Sequence, residues 1–191
     1  MSDTNSPAHQ GASALLPGKY ARVERERRFL MPGPPDPSTV TATRMITDRY
    51  LTGTRLRLRR VELPDGTLER KLTQKVPARR PGGTGGVQGL ITNTYLSAAE
   101  YDLLATLPAE VLTKTRYSVA PLGVDVFGGH LDGLVLAEAE FTTDEEAHAF
   151  AFPAGCVAEV TDDPRFTGGR LVGTTRRDLL AWLAEHGLHP E

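Results

Sequence analysis

The sequence lacks several features that would place it in a special class of protein. Cys156 is the single cysteine among 191 residues, which excludes an intrachain disulfide and a zinc site built from cysteines. No segment approaches the ~20 apolar residues of a membrane-spanning helix, and the N-terminus does not resemble a secretory signal. Positive charge is not in excess, because 24 acidic residues balance 22 basic ones. We therefore expect a cytoplasmic protein with no membrane association and no general nucleic-acid binding.

Length and composition predict one folded domain behind an N-terminal tail. Residues 1–19 are rich in Ser, Ala, Gly and Pro without hydrophobic periodicity, so we expect a disordered tail. A chain of this length is typical of one domain, which we expect to span residues 20–191 and to include a C-terminal helix. The sequence PARRPGGTGG within residues 77–89 predicts a flexible loop. Its glycines lack the Gly-Lys-Ser/Thr ending of a phosphate-binding P-loop.

Strand-like segments dominate the rest of the chain. These segments are rich in Val, Leu, Thr, Tyr and Phe and are bounded by Gly, Pro or Asp. They cover residues 22–30, 43–51, 54–62, 67–76, 89–96, 111–119, 123–128, 133–141 and 157–161. Helical patterns begin after the capping residues Ser97 and Thr143, and a third covers 174–186. This content predicts a mainly β (α+β) protein with a closed or nearly closed antiparallel sheet and a few helices packed outside.

Charged residues recur at every second position in several of these strands. Because successive strand residues face opposite sides, residues at i and i+2 share a face. The rows are Glu24, Glu26 and Arg28; Arg55, Arg57 and Arg59; Lys71, Thr73 and Lys75; Lys114 and Arg116; and Glu138 and Glu140. One interpretation is the solvent-exposed face of an ordinary antiparallel sheet. The signs, however, segregate by strand, and like charges at this spacing repel unless something bound offsets them.

A complex of a divalent metal ion with a polyphosphate would offset both signs at once. Mg²⁺ and Mn²⁺ prefer oxygen ligands such as carboxylates and substrate phosphates. Guanidinium groups bind phosphate oxygens through two parallel hydrogen bonds. Phosphoryl transfer needs mainly positioning and charge neutralisation, and a metal ion polarises a phosphoryl oxygen or activates a water. The charge rows therefore favour a metal–polyphosphate site inside the closed sheet.

The same residues resemble the motifs of a known family. The sequence from Glu24 to Arg28 (ERERR) resembles the E-x-E-x-K motif near the N-terminus of the CYTH superfamily, the triphosphate tunnel metalloenzymes. Similar segments follow in the family's order at 55–59, 73–75, 114–117, 124–127, 137–141 and 159–166. The resemblance covers about residues 20–172 and is closest to the small single-domain bacterial members. It implies a closed eight-stranded antiparallel β-barrel that forms a tunnel and binds triphosphates with Mg²⁺ or Mn²⁺.

The resemblance also implies roles for individual residues. The metal ligands would be Glu24, Glu26, Glu138 and Glu140, with Asp125 as a further candidate whose side of the strand is shared by Phe127. The substrate phosphates would be bound by Arg28, Arg55, Arg57, Arg59, Lys75, Lys114, Arg116 and Arg165. The catalytic residues would be Glu26, Arg28 and Tyr50, because a lysine–tyrosine pair matching Arg28 and Tyr50 works in some members.

The sequence departs from the family pattern in two ways. Arg28 stands where the motif has lysine, and an arginine can bind phosphate but is a poor acid or base. Ile91 and Asn93 stand where many members carry Glu-x-Glu, so one acidic pair is lost. Both departures keep open a triphosphate- or nucleotide-binding module without turnover.

Among enzymatic functions, metal-dependent hydrolysis of a linear triphosphate is the first hypothesis. Inorganic tripolyphosphate is favoured as substrate, because a small chain has little surface for a bulky organic group. Thiamine triphosphatase and adenylyl cyclase activities are the alternatives that the family implies, although no sequence feature shows an adenine pocket. The expected partner is a triphosphate-containing small molecule, and the chain is expected to be a monomer or a homodimer.

Overall fold

The computed structural model describes residues 19–77 and 86–190, so the expected tail and most of the expected glycine-rich loop lie outside the described residues. The strands are β1 (Arg22–Leu30), β2 (Ala42–Leu51), β3 (Leu56–Glu62), β4 (Leu68–Pro77), β5 (Val87–Tyr95), β6 (Ala109–Val119), β7 (Leu122–Phe127), β8 (Val135–Glu140) and β9 (Ala158–Glu159). Each predicted strand is confirmed, with ends that differ by a few residues. The short β9 keeps only the middle of its predicted segment.

Eight of the strands close into a barrel. Their order is β5-β4-β3-β2-β6-β7-β8-β1, and β1 pairs with β5 to complete the circle. All the pairings are antiparallel. On the β5 side, β1 pairs through its first residues, the register shifts between Glu24 and Arg25, and Phe29 and Leu30 pair with β9 instead. The predicted eight-stranded barrel is confirmed, and closure pairs each of its strands on both sides.

The helices lie outside this sheet. They are α1 (Ala98–Leu104), α2 (Asp144–Ala149), α3 (Gly168–Leu171) and α4 (Arg176–Ala184). The predicted capping boxes start α1 and α2, with Ser97 bound to Glu100 and Thr143 bound to Glu146. The single turn of α3 was not predicted, because its Gly-Gly start carries no apolar periodicity. Among the described residues, no helix has the length and apolar character needed to cross a membrane.

An apolar cluster fills one end of the barrel. Leu30, Leu112, Phe127 and Leu136 pack there with side chains from the two C-terminal helices. Leu171 of α3 and Leu179 and Leu183 of α4 belong to the same cluster. Burying such side chains stabilises the fold by roughly 1.5–3 kcal/mol each, so α3 and α4 are firmly attached over this end. The charged rows occupy the remaining interior.

Candidate functional site

Strand register brings most of the predicted site residues to the inner face of the barrel. Glu26 pairs with Glu140, Arg28 pairs with Glu138, and Tyr50 pairs with Arg57. Directly paired residues share a face, so the rows of neighbouring strands adjoin one another. The inner face carries Glu24, Glu26, Arg28, Tyr50, Arg57, Arg59, Lys75, Lys114, Arg116, Asp125, Glu138 and Glu140. Asp125 and Phe127 both face inward.

Two predicted phosphate ligands are not part of this lining. Arg55 precedes β3, and its side chain is exposed. The guanidinium of Arg165 forms salt bridges of 2.8 Å with both Asp163 and Glu185 and lies over the Trp182 ring. These acidic partners balance the charge of Arg165 and hold it against the C-terminal segment, and its role in phosphate binding stays a prediction. Sequence order could not reveal that competition.

Two buried aspartates hold the cations of the inner face. Asp125, at 0% exposure, accepts hydrogen bonds from Nε and Nη2 of Arg116 at 2.7 and 2.6 Å and forms an ion pair with Lys114. Asp48 accepts two hydrogen bonds of 2.6 Å from Arg59. Burial would raise the pKa of Asp48, but the guanidinium groups of Arg57 and Arg59 hold it well below its usual range. Arg59 and Lys114 are therefore already neutralised without a ligand.

Asp125 was predicted as a metal ligand, and its surroundings favour another role. Both of its carboxylate oxygens are engaged by cations. A metal ion would have to compete with those cations for the same oxygens. The contacts of Asp125 are those of a residue that orients Lys114 and Arg116.

Other cations of the inner face have hydrogen-bond donors without an acceptor among the described residues. The Nε atom of Arg57 is buried and has no hydrogen-bond partner among the residues that the structure describes. The contacts of the Arg57 side chain with Thr73 and Asp48 are long, at 3.4 and 3.6 Å. Lys71 pairs in register with Arg59 and forms no ion pair within the described part of the chain. Burial, aided by the neighbouring Arg59 and Arg57, lowers the pKa of Lys71. Buried unpaired donors are rare in folded proteins, so Arg57 is suited to an anion, and the half-buried Lys71 adds a further positive charge on the same face.

Arg28 is held in place by oxygen acceptors on three sides. Its guanidinium donates to the carbonyl oxygens of Phe166 at 2.9 Å and Thr161 at 2.7 Å and to the side chain of Gln88 at 3.0 Å. At 4% exposure, Arg28 connects β1 to the segment before α3 and to β5. Its Nε atom has no hydrogen-bond partner in the described part of the chain and lies 3.8 Å from a carboxylate oxygen of Glu26. Arg28 can thus present one donor to the interior while most of its capacity fixes the surrounding backbone.

The glutamates of the inner face lie in contrasting environments. Burial, followed by the negative charge of Glu138, raises the pKa of Glu26 to about 7. Burial would also raise the pKa of Glu138, but Arg116 and Lys114 hold it well below its usual range. Glu24 forms a 2.6 Å salt bridge with Lys75, and Glu140 is exposed. Glu26 therefore has less positive charge nearby than a buried carboxylate requires.

This set of carboxylates has the chemistry of a divalent-metal site without a completed ligand cage. Carboxylate oxygens are the donors that Mg²⁺ and Mn²⁺ prefer. Within residues 19–77 and 86–190, no group of three or more His, Cys, Asp or Glu side chains is arranged to hold a metal ion. The poorly compensated charge of Glu26 beside Glu138 fits an added cation, so the donor chemistry suits the metal that the family implies.

Tyr50 faces the same interior from β2 and meets the start of α3. Burial, followed by the charge of Asp48, raises the pKa of the Tyr50 hydroxyl, so it stays protonated at neutral pH. A Cβ atom placed on Gly168 would overlap this hydroxyl. The absence of a side chain at Gly168 therefore sets the position of Tyr50 beside Arg57.

We expect Gly168→Ala to destabilise the protein by roughly 1–3 kcal/mol, the usual cost of overpacking a filled interior. The measurement is chemical denaturation, with Gly33→Ala as the control because a Cβ there would meet nothing within 4 Å. Tyr50→Phe removes the overlapping oxygen and should restore most of the lost stability in the double variant. No restoration would show that Tyr50 does not depend on Gly168.

Sequence reasoning missed three charged residues of the inner face. Arg44 and Asp48 lie on β2, where their opposite signs hide the two-residue period. Lys71 was recognised as a member of a row but was not assigned to the site. The available signal was the parity of Tyr50, which places Arg44 and Asp48 on its own side of the strand.

One relative and two crystal structures resemble this chain. It is 32% identical over 159 residues to an inorganic triphosphatase of Nitrosomonas europaea, a match that covers 75% of this chain and 93% of that protein. It also resembles the crystal structures of the inorganic triphosphatase NE1496 and of the hypothetical protein NE1496. Their TM-scores are 0.52 each, with 26% and 29% identity, 80% coverage of this chain and 96% and 99% coverage of those chains. No family model matches the sequence.

The relative, the two crystal structures and the barrel all indicate the same family. The match to the inorganic triphosphatase spans nearly all of that protein. The closed barrel also places Glu24, Glu26 and Arg28 of the E-x-E-x-K-like segment on its inner face. The chain belongs to the CYTH superfamily, the triphosphate tunnel metalloenzymes.

Proposed function

We propose that this protein hydrolyses linear triphosphates in a reaction that depends on Mg²⁺ or Mn²⁺, with inorganic tripolyphosphate as the favoured substrate. The observation that carries the proposal is the inner face of the barrel. There, unfilled donors of Arg57 and an unpaired Lys71 lie on the same face as the poorly compensated Glu26. A metal–triphosphate complex supplies the missing charge of both signs. The name of the Nitrosomonas europaea relative supports the same activity.

The metal ion would be held by Glu26 and Glu138, with Glu140 as a further ligand nearer the exposed rim. When bound, it supplies a Lewis acid for the phosphoryl oxygens and activates a water as the nucleophile. The remaining coordination positions belong to phosphate oxygens and water, because Mg²⁺ rarely has an all-protein shell. Glu24 stays with Lys75 at the salt bridge described above.

The cations divide the work of binding. Arg57 and Lys71 bind phosphate oxygens directly, because their donors are the least occupied. Lys114 and Arg59 contribute positive charge, and Asp125 and Asp48 fix the positions of these two cations. Such preorganised charge stabilises the negative charge that develops in a transition state. The protonated hydroxyl of Tyr50 donates a hydrogen bond to a phosphate oxygen of the substrate. Arg28 fixes the backbone around this centre and presents its Nε to the substrate side.

A second candidate function is binding without turnover. It is favoured by Arg28, which cannot exchange a proton at neutral pH and whose guanidinium is largely occupied. Calorimetry with tripolyphosphate, followed by recovery of the ligand, distinguishes the two functions. Intact tripolyphosphate after incubation with Mg²⁺ or Mn²⁺ would favour the binding module.

The substrate is identified by comparing phosphate release from tripolyphosphate, thiamine triphosphate, ATP and pyrophosphate, each with Mg²⁺, Mn²⁺ and EDTA. We expect metal-dependent release to be fastest with tripolyphosphate. Faster release from thiamine triphosphate would change the substrate, and cyclic AMP formed from ATP would assign the cyclase reaction instead. No release from any of the four would remove the hydrolase proposal.

We expect Arg57→Ala to weaken tripolyphosphate binding by roughly 1.5–3 kcal/mol, typical of a lost hydrogen bond to a charged group. Added tripolyphosphate should raise the melting temperature of the wild-type protein by mass action, and the variant should show a smaller rise. The matched control is Arg60→Ala, which removes the same charge from an exposed position of β3. Equal effects of the two variants would show that only net charge matters.

A further inference from the structure

A cavity of about 350 Å³ lies where β2 begins, β6 ends and β7 begins. This volume falls at the lower end of the ~300–1,000 Å³ range of small-molecule sites. Its charged lining consists of Arg44, Arg116, Glu138 and Glu140. Glu138 also neighbours Glu26, so the cavity adjoins the proposed metal ligands.

Arg44 is the less satisfied of the two arginines in this cavity. Its one side-chain hydrogen bond to a described residue is a 3.2 Å contact from Nη1 to the hydroxyl of Ser118. It forms no salt bridge with any residue in the described ranges 19–77 and 86–190. In register it faces Arg116, so two like charges lie directly opposite on neighbouring strands. Asp125 and Glu138 balance the charge of Arg116, so Arg44 is the member of this pair whose positive charge has no acidic partner among the described residues.

Arg116 is prepared for a ligand in a different way. Asp125 engages its Nε and Nη2, and Glu138 also accepts from Nη2. These contacts fix the guanidinium plane and leave Nη1 without a hydrogen-bond partner among the described residues. Arg44 and Arg116 together therefore present open guanidinium donors to one small cavity, an arrangement that matches a phosphate group.

We propose that this cavity binds the outermost phosphate of a linear polyphosphate and that Arg44 makes the site prefer triphosphate to diphosphate. The inference rests on the function proposed above and places the terminal phosphate of that substrate in the cavity. Glu138 lines the cavity and belongs to the proposed metal site, so a phosphate held by Arg44 stays connected to the phosphates at the metal. When two phosphates are held at the metal, a triphosphate still has a third phosphate that can contact Arg44, and a diphosphate does not.

The test compares calorimetric binding of tripolyphosphate and pyrophosphate, each with Mg²⁺ and at low temperature to slow turnover, to the full-length wild type and to Arg44→Gln. We expect Arg44→Gln to weaken tripolyphosphate binding roughly tenfold to a hundredfold, as for a lost charged hydrogen bond, and to change pyrophosphate binding less than about threefold. Arg44→Lys keeps the charge without the planar fork and should retain part of the preference. The control is Arg60→Gln, an exposed arginine on β3, which should alter neither ligand.

The failed outcomes separate the two proposals. Wild-type hydrolysis of tripolyphosphate is measured alongside with Mn²⁺. Suppose that the wild type is active. If Arg44→Gln keeps the preference for tripolyphosphate, or binds both ligands more weakly by the same factor, the subsite proposal is wrong and the hydrolase proposal stands. A wild type that neither binds nor hydrolyses tripolyphosphate overturns both. Arg44 makes a single side-chain hydrogen bond, so the variant should melt no lower than the wild type.

Discussion

Glu26→Gln is expected to reduce phosphate release by roughly a hundredfold or more and to stabilise the ligand-free protein. The loss of activity follows from removing a charged group that the reaction centre needs. The gain in stability follows from the pKa of Glu26, which the fold raises from an ordinary value of 4.5 to about 7. One pKa unit corresponds to about 1.4 kcal/mol, so ionised Glu26 lowers the free energy of unfolding by about 3 kcal/mol.

The sign of this effect depends on pH. Below pH 4.5 Glu26 is protonated in both the folded and the unfolded protein, so it costs nothing. Between pH 4.5 and 7 the unfolded chain loses the proton first, and the stability of the wild type falls as pH rises. Above pH 7 the cost is complete. Glutamine has nearly the same volume as glutamate and carries no charge, so Glu26→Gln does not lose this stability at high pH.

Thermal unfolding in EDTA at pH 4.5 and pH 8 measures this difference. Glu26→Gln should melt above the wild type at pH 8 and close to it at pH 4.5. Glu62→Gln on β3 is the control, since no interaction of its side chain is found in the described structure. A lower melting temperature of Glu26→Gln at pH 8 would mean that Glu26 is a paired structural charge and not a ligand awaiting a cation.

Asp125→Asn is expected to have the opposite effect and to destabilise the protein by roughly 3–5 kcal/mol, as when one member of a buried ion pair is removed. Asp125 is completely buried and is the shared partner of Lys114 and Arg116. The asparagine would leave two buried cations with Glu138 as the remaining acidic partner. If Asp125 instead served chiefly as a metal ligand, removing its charge would relieve repulsion and raise the stability of the ligand-free protein.

Urea unfolding of Asp125→Asn measures the loss, with Asp102→Asn on the exposed face of α1 as the control. Added tripolyphosphate should recover part of the lost stability, because its negative charge replaces that of Asp125 and ligand binding favours the folded state. A change of less than about 1 kcal/mol would contradict the role of Asp125 as the anchor of Lys114 and Arg116.

The barrel could be predicted because its signal is local. The alternation of Arg57, Leu58 and Arg59 depends only on the geometry of one strand, and so does the alternation of Glu138, Ala139 and Glu140. The family resemblance supplied the number of strands. The turn of α3 was missed because it is short, and its place is decided by packing of Leu171 into the apolar cluster.

The division of the inner charges into anchors and ligands could not be predicted, because it depends on contacts between distant segments. Arg28 is occupied by carbonyl oxygens of Thr161 and Phe166, which lie 133 and 138 residues further along the chain. Arg165 fits the family order but is neutralised by Glu185. Parity states which side of a strand a residue occupies, and only the folded structure shows which opposite charge it meets there.

The most direct test is a time course of phosphate release from tripolyphosphate by the wild-type protein with Mg²⁺ or Mn²⁺ and, in parallel, with EDTA. A triphosphatase whose inner carboxylates hold the metal should release phosphate with either metal and stop in EDTA, and Glu26→Gln should remain near the EDTA rate. Release that continues at the same rate in EDTA, or intact tripolyphosphate after prolonged incubation with both metals, would contradict the account.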